Sequence, residues 1–210
     1  MVSSKLVFFG MVLLILFSCG TLPRSVKENF TLCYDGHPRS KIDSVLNTRG
    51  YFERDFMRMS FFENGLVVYN FGSYEYKPDE LFRVLSDCSD INEYKSFFVS
   101  FWWGTYSLCG DTLILQTTVK PASGTSFNGA WEDKFKILDR NTLEKVAVRP
   151  LEDFDESRMR TLNAAKSTII GRVYKFVPTE YFPKADSCWL LKEDWFWCKN
   201  RAKLGLKVTD

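Results

Sequence analysis

The chain has 210 residues, of which 45% are hydrophobic, 26% charged and 16% aromatic, with a formal charge of +2 at pH 7. That composition excludes a disordered or low-complexity chain and supplies enough apolar material for a core, and one domain is the natural expectation at this length. The near-neutral charge, with no long run of one sign, offers nothing for nucleic acid to bind.

The first residues carry one cation, Lys5, followed by an apolar run from Leu6 to Phe17 that stops at Ser18-Cys19-Gly20-Thr21. This is the layout of a signal peptide, and the run falls short of the roughly 20 residues a spanning helix needs. Leu16-Phe17-Ser18-Cys19 resembles the bacterial lipobox. That likeness implies cleavage before Cys19 and lipid on its thiol, with the competing reading an ordinary secretory signal in which Cys19 is incidental. Several acyl chains, each buried methylene contributing about 0.8 kcal/mol, would anchor the protein durably to a membrane. Residues 1–18 are thus expected to be a cleaved signal, 19–47 the lipidated cysteine and a polar leader carrying Pro23, Gly36 and Pro38, and 48–210 a single domain.

Beyond the leader, Gly50 to Phe62 is aromatic and strand-like, and Glu63-Asn64-Gly65 separates it from Leu66-Val67-Val68-Tyr69-Asn70-Phe71. Asn-Gly between two apolar runs predicts a hairpin, with a type I′ turn because both residues accept positive φ. Pro78-Asp79-Glu80 ahead of Leu81, Phe82, Val84 and Leu85 predicts a short helix. Phe97 to Tyr106 and Thr112 to Val119 read as strands joined by a Gly110-Asp111 turn, and Pro121 to Gly129 as a polar loop. Trp131 to Leu138 and Thr142 to Val148 form a second hairpin across Asp139-Arg140-Asn141, with Phe135 and Ile137 on one face and Lys134 and Lys136 on the other. Ser157 to Lys166 suggests a helical turn, Thr168 to Val177 a strand, and Ser187 to Leu191 with Trp195 to Lys199 a last strand pair. Many strands and one or two short helices predict an antiparallel sandwich or barrel.

Besides Cys19 there are Cys33, Cys88, Cys109, Cys188 and Cys198. An exported location permits disulfides, but the number is odd, so at least one thiol stays free or pairs elsewhere. Cys188 and Cys198 flank the Trp189–Trp197 stretch and are a candidate disulfide across the expected hairpin; two thiols that merely pack are the alternative. No metal site is expected, since there is no C-x-x-C pair and His37 is the only histidine.

The phrases Gly50-Tyr51, Phe61-Phe62-Glu63-Asn64-Gly65, Trp103-Gly104-Thr105-Tyr106, Gly110-Asp111-Thr112-Leu113 and Phe135-Lys136-Ile137-Leu138, together with Cys19, resemble the lipocalin-like lipoproteins of Bacteroidetes. The resemblance implies a mainly β fold: an antiparallel up-and-down barrel of about eight strands, wide enough for one small ligand. It also implies a place in the bacterial cell envelope. Gly20-Thr21-Leu22-Pro23 lacks the acidic run associated with surface export in that group, which favours a periplasm-facing site at the outer membrane.

No catalytic residues are expected. A serine or cysteine nucleophile would need a histidine base, and His37 lies in the leader. The carboxylate pairs Glu53 with Asp55 and Asp153 with Asp155 read as solvated surface. No cofactor motif occurs. The aromatic clusters Phe97 to Trp103 and Trp189 to Trp197 stand out. Two readings stay open: a barrel holding a small apolar ligand, with Phe98, Trp102, Trp103, Trp189 and Trp197 as lining, or a filled barrel that docks an envelope protein through its outer face.

Overall fold

The computed structural model describes residues 22–37, 42–55, 57–69, 101–120, 129–180 and 184–207. Within them eight antiparallel strands close into an up-and-down barrel: β1 (Gly50–Arg54), β2 (Met57–Phe61), β3 (Leu66–Tyr69), β4 (Trp102–Cys109), β5 (Thr112–Thr118), β6 (Ala130–Asp139), β7 (Thr142–Pro150) and β8 (Arg172–Pro178). β1 pairs with β8, Gly50 opposite Pro178, so no strand edge remains open. Among the described residues four α-helices accompany the sheet: α1 (Arg24–Asn29), α2 (Ile42–Val45), α3 (Glu156–Ile169) and α4 (Cys198–Arg201). The predicted helix at Pro78 to Leu85, the strand start at Phe97, the loop from Pro121, Cys88 and residues 1–21 lie outside the described residues.

The turns are where sequence chemistry acts most directly. The predicted β2–β3 hairpin is present, but its turn is not type I′, because only Gly65 has positive φ, at 91°. Gly65 N–H donates to Phe62 O at 3.0 Å, Phe62 N–H donates to Leu66 O at 2.9 Å, and Asn64 Oδ1 accepts from Leu66 N–H at 3.2 Å. A three-residue loop closed by a left-handed glycine does the work instead. Gly110 takes φ 61° in the β4–β5 turn, and Asp139 Oδ1 accepts from Asn141 N–H at 2.7 Å in the β6–β7 turn.

Alternation along each strand sends one set of side chains inward and the other outward, and both sets are buried over much of the barrel. The inner core holds Phe52, Met59, Phe61, Val67, Tyr69, Tyr106, Leu113, Leu115, Phe135, Leu143 and Tyr174. Ile42 and Leu46, from α2 and the residue after it, join that core. The α2 segment closes one end of the barrel, fixed by Asn47 N–H to Arg140 O (3.0 Å) and Arg140 Nη2 to Asp43 O (2.8 Å).

A second core lies on the outside of the wall, where Tyr51, Leu66, Val68, Trp103 and Ala130 meet Leu22, Val26, Phe30 and Tyr34 from the N-terminal segment and Trp189, Leu190, Trp195 and Phe196 from the C-terminal one. The stretch read as a leader therefore lies against the barrel from Leu22 on. Gln116 and Thr105 clamp it: Leu32 N–H donates to Gln116 Oε1 at 2.8 Å, and Thr105 Oγ1 donates to Leu32 O at 2.5 Å. Glu132 anchors Gln116 from below, accepting from its Nε2 at 2.7 Å and from Arg149 Nε and Nη2 at 2.8 and 2.7 Å. Burial alone would push the Glu132 carboxyl up, yet the Arg149 and Gln116 donors outweigh it and hold the group below its ordinary value.

Two expectations for the last third need correction. The strand pair at Ser187 to Leu191 and Trp195 to Lys199 is instead a series of 3-10 turns, Ala185–Ser187, Trp189–Lys192 and Asp194–Phe196, leading into α4. The closed barrel leaves no edge to which another hairpin could add. The expected helical turn at Ser157 to Lys166 is a full helix, α3, started by Asp155 Oδ1 accepting from Arg158 N–H at 2.8 Å, so β8 begins only at Arg172.

Gly104 shows how closely the wall is built. A Cβ placed there would stand 1.8 Å from Gln116 O and 2.7 Å from Gln116 C, backbone atoms that cannot move without opening the β4–β5 pair. We expect Gly104→Ala to destabilise the fold by about 3 kcal/mol, the upper end of ordinary overpacking, measured by urea denaturation. An unchanged midpoint would mean the wall is looser than drawn.

Candidate functional site

The inner surface changes character along the barrel axis. Toward the end closed by α2 it is packed hydrocarbon. Toward the opposite rim, where β1 and β3 end and β4 and β6 begin, it carries a charged pair and two phenols. Asp133 of β6 lies two residues before the inward Phe135, and Lys145 of β7 two after the inward Leu143. A register shift between Lys134 and Phe135 brings Phe135 opposite Lys145.

The Lys145 ammonium stands 2.8 Å from Asp133 Oδ1, their side chains only 7% and 3% exposed. The approach is that of a close ion pair. Lys145 Nζ also donates to Tyr69 OH at 3.5 Å, and Tyr69 and Tyr174 share a hydrogen bond at 3.3 Å between their hydroxyls. Lys145 Nζ sits over the rings of Tyr69 and Phe135, 5.6 and 5.7 Å from their centroids. Burial pushes the Asp133 carboxyl above its ordinary value, with the Lys145 charge opposing. Burial, reinforced by the Asp133 charge, pushes the Tyr69 phenol well above its own. Trp102, the first residue of β4, meets Tyr69 edge-on at 6.3 Å and is half-buried.

Such a quartet can offer an ammonium, phenolic donors and ring faces to a polar group entering from the rim. Sequence reasoning missed it, although a signal was present: the alternation that turns Phe135 and Leu143 inward also turns Asp133 and Lys145 inward.

The tryptophans proposed as lining divide between the two cores. Trp102 belongs to the inner one. Trp103, fully buried, packs in the outer core, as do Trp189 and the half-buried Trp197. Trp103 stacks on Phe62 at 5.9 Å and Trp197 packs edge-on against Tyr34 at 5.0 Å, with its Nε1–H donated to Leu191 O at 3.0 Å. Phe98 lies outside the described residues.

The Cys188–Cys198 pairing is also corrected. The disulfide joins Cys198 to Cys33, with Cα atoms 5.0 Å apart, and Cys188 is a free, buried thiol pushed up to about 12 by burial. The reason is the parallel bridge between Tyr34 and Trp197, in which Tyr34 N–H donates to Phe196 O at 2.8 Å and Cys198 N–H to Tyr34 O at 3.0 Å. It lays the two segments side by side.

Of the carboxylates considered for acid-base chemistry, Asp55, Asp153 and Asp155 are exposed and Glu53 is half-buried. Glu53 pairs with Arg58 at 3.3 Å, Asp55 with Arg54 at 3.1 Å, and Asp155 caps α3. Among the described residues no three His, Cys, Asp or Glu side chains are grouped to hold a metal ion, and no helix is long and apolar enough to cross a membrane. An open groove of about 790 Å³ runs past Asn47, Arg140, Asn141 and Lys175, at the end of the barrel away from the quartet. It is wide and shallow, whereas the quartet is enclosed by the wall, and the enclosed site is the stronger candidate. No family model matches the chain, and neither does any curated protein or solved structure.

Proposed function

We propose that the protein is a membrane-anchored bacterial lipoprotein, carrying lipid on Cys19, whose lipocalin-like barrel binds a small, largely apolar ligand and performs no catalysis. The observation that carries this reading is the Asp133–Lys145 pair with Tyr69 and Tyr174 inside the wall. A buried ion pair is weak support for stability, because desolvating both charges costs about as much as their attraction returns. Convergent polar groups among rings, at one end of an apolar interior, are what an oriented ligand requires. The Cys33–Cys198 disulfide supports export, since such bonds persist in oxidising compartments.

The test is a titration of the purified protein with the fluorescent apolar probe N-phenyl-1-naphthylamine, alongside mass spectrometry of material extracted from protein that was never ligand-stripped. We expect Trp102→Ala to weaken probe binding roughly tenfold, about 1.4 kcal/mol, and Trp197→Ala in the outer core to leave it unchanged. Equal affinity in both variants would remove the interior as the binding site.

The second reading is a lipoprotein whose filled barrel docks an envelope protein. It draws on the side chains of Phe52, Met59, Phe61, Tyr106, Phe135 and Leu143, each at most 3% exposed, which occupy the lower interior. Absence of extracted ligand together with absence of probe binding would favour it.

A further inference from the structure

We propose that the face made by α1 and by the turn that follows α4 lies directly against a bilayer surface bearing anionic head groups. The proposal rests on the reading that Cys19 carries lipid. Only Gly20 and Thr21 separate Cys19 from Leu22, and Leu22 is fixed in the outer core at 6% exposure. Three fully extended residue steps reach about 11 Å. The head-group layer on one side of a bilayer is itself roughly 5–8 Å thick. A tether this short cannot lift the barrel clear, so whatever surface surrounds Leu22 must meet the membrane.

That surface is well defined. Arg201 is wholly buried and ties the two chain segments together: its Nη2 donates to Lys27 O at 3.1 Å, its Nε to Lys207 O at 2.7 Å and its Nη1 to Trp195 O at 3.1 Å. The disulfide holds the same two segments together further along. The turn after α4 is therefore locked beside α1, close to where the tether leaves. From Trp197 to Lys207 the chain has four cations, Lys199, Arg201, Lys203 and Lys207, and no acid. Lys203 and Lys207 are exposed, Lys27 is half-buried, and Leu204 between the two exposed lysines is 51% exposed. Glu28 on α1 is paired with Arg24 at 2.7 Å, which leaves the three lysines uncompensated by it. Lysines around a projecting leucine suit a layer of anionic head groups over acyl chains. The tether length identifies the occupant as the bilayer, because no partner protein could reach this face without first displacing it.

The test uses the acylated protein in vesicles of phosphatidylethanolamine and phosphatidylglycerol, with phosphatidylcholine vesicles and detergent micelles as comparisons, and hydrogen exchange read by mass spectrometry. Peptides covering residues 23–29 and 199–207 are expected to be protected on both kinds of vesicle and not in micelles, and more strongly on the anionic vesicles than on phosphatidylcholine. The variant K27E/K203E/K207E is expected to lose the extra protection seen on anionic vesicles while remaining anchored and keeping its thermal midpoint, and K27R/K203R/K207R to keep it. The intact mass of the Cys19 peptide separates the two ways of failing. An acyl mass on Cys19 without protection overturns the face and leaves the anchor standing; no acyl mass removes the tether and the proposal with it. Equal protection on phosphatidylcholine overturns the role of charge, and protection that appears only when envelope proteins are added assigns the face to a partner and overturns the proposal.

Discussion

Replacing both members of the Cys33–Cys198 disulfide by alanine is expected to lower the free energy of unfolding by about 3–5 kcal/mol, read from urea denaturation. The bond closes a sequence separation of 165 residues, and the chain-entropy estimate for a loop of that size is about 5 kcal/mol, near the top of what removal of native disulfides costs. Reductant should act on the parent protein by the same amount and leave C33A/C198A unmoved. Limited trypsin digestion supplies an independent reading. With the bond broken, the C-terminal turns are held to the wall only by side-chain packing and a few hydrogen bonds, so cuts at the exposed Lys192 and Lys199 should precede any in the barrel. Cys188→Ala, far smaller in effect, is the control. Identical midpoints for parent and C33A/C198A, with the C-terminal segment uncut, would mean the two segments are secured without the bond.

The second large effect belongs to Lys145. Lys145→Met leaves Asp133 buried with no countercharge, a change that costs about 3–5 kcal/mol, whereas removing both charges together as D133L/K145M should return to within about 1 kcal/mol of the parent. The pH dependence carries a distinctive sign. Burial raises the folded-state Asp133 carboxyl above its ordinary value against the pull of Lys145. Between the ordinary and the raised value the folded chain holds more protons than the unfolded one, so this group's contribution to stability is largest at low pH and declines as pH rises through that window. Without Lys145 the carboxyl rises further and the window widens. K145M should therefore recover much of its loss as pH is lowered through that window, while D133L/K145M shows no such slope. A loss in K145M independent of pH would show that the ammonium's packing over Tyr69 and Phe135, and not its charge, is what matters.

Much of the barrel was legible in the sequence because its information is local. The Gly110-Asp111 and Arg140-Asn141 turns and the Phe135/Ile137 alternation each specify a short element within a few residues. β3 illustrates a different legible pattern: Leu66-Val67-Val68-Tyr69 is apolar without alternation because both faces of the wall are covered there, Val67 and Tyr69 inside and Leu66 and Val68 outside. What was not legible depends on distant partners. Cys198 finds Cys33 only because a parallel bridge brings Tyr34 beside Trp197. Trp189 to Trp197 has strand-like composition and still forms 3-10 turns, since β1 and β8 close the barrel and leave no pairing edge. The quartet escaped because lysine and aspartate are ordinarily read as solvent-facing, although strand parity placed both inside.

The arrangement of the two segments also fixes how the molecule answers a pull. Force applied between the N-terminal side of Leu22 and the C-terminal side of Lys207 travels along residues 22–33, across the Cys33–Cys198 bond, and out along residues 198–207. The eight strands sit outside that load path. Before the bond bears the load only those two short stretches can extend, roughly 70 Å of chain; with the bond reduced, the chain across the sequence separation of 165 would yield on the order of 550 Å more. A protein held at a membrane by one end and tugged at the other would thus keep its barrel unstretched for as long as a single covalent link survives.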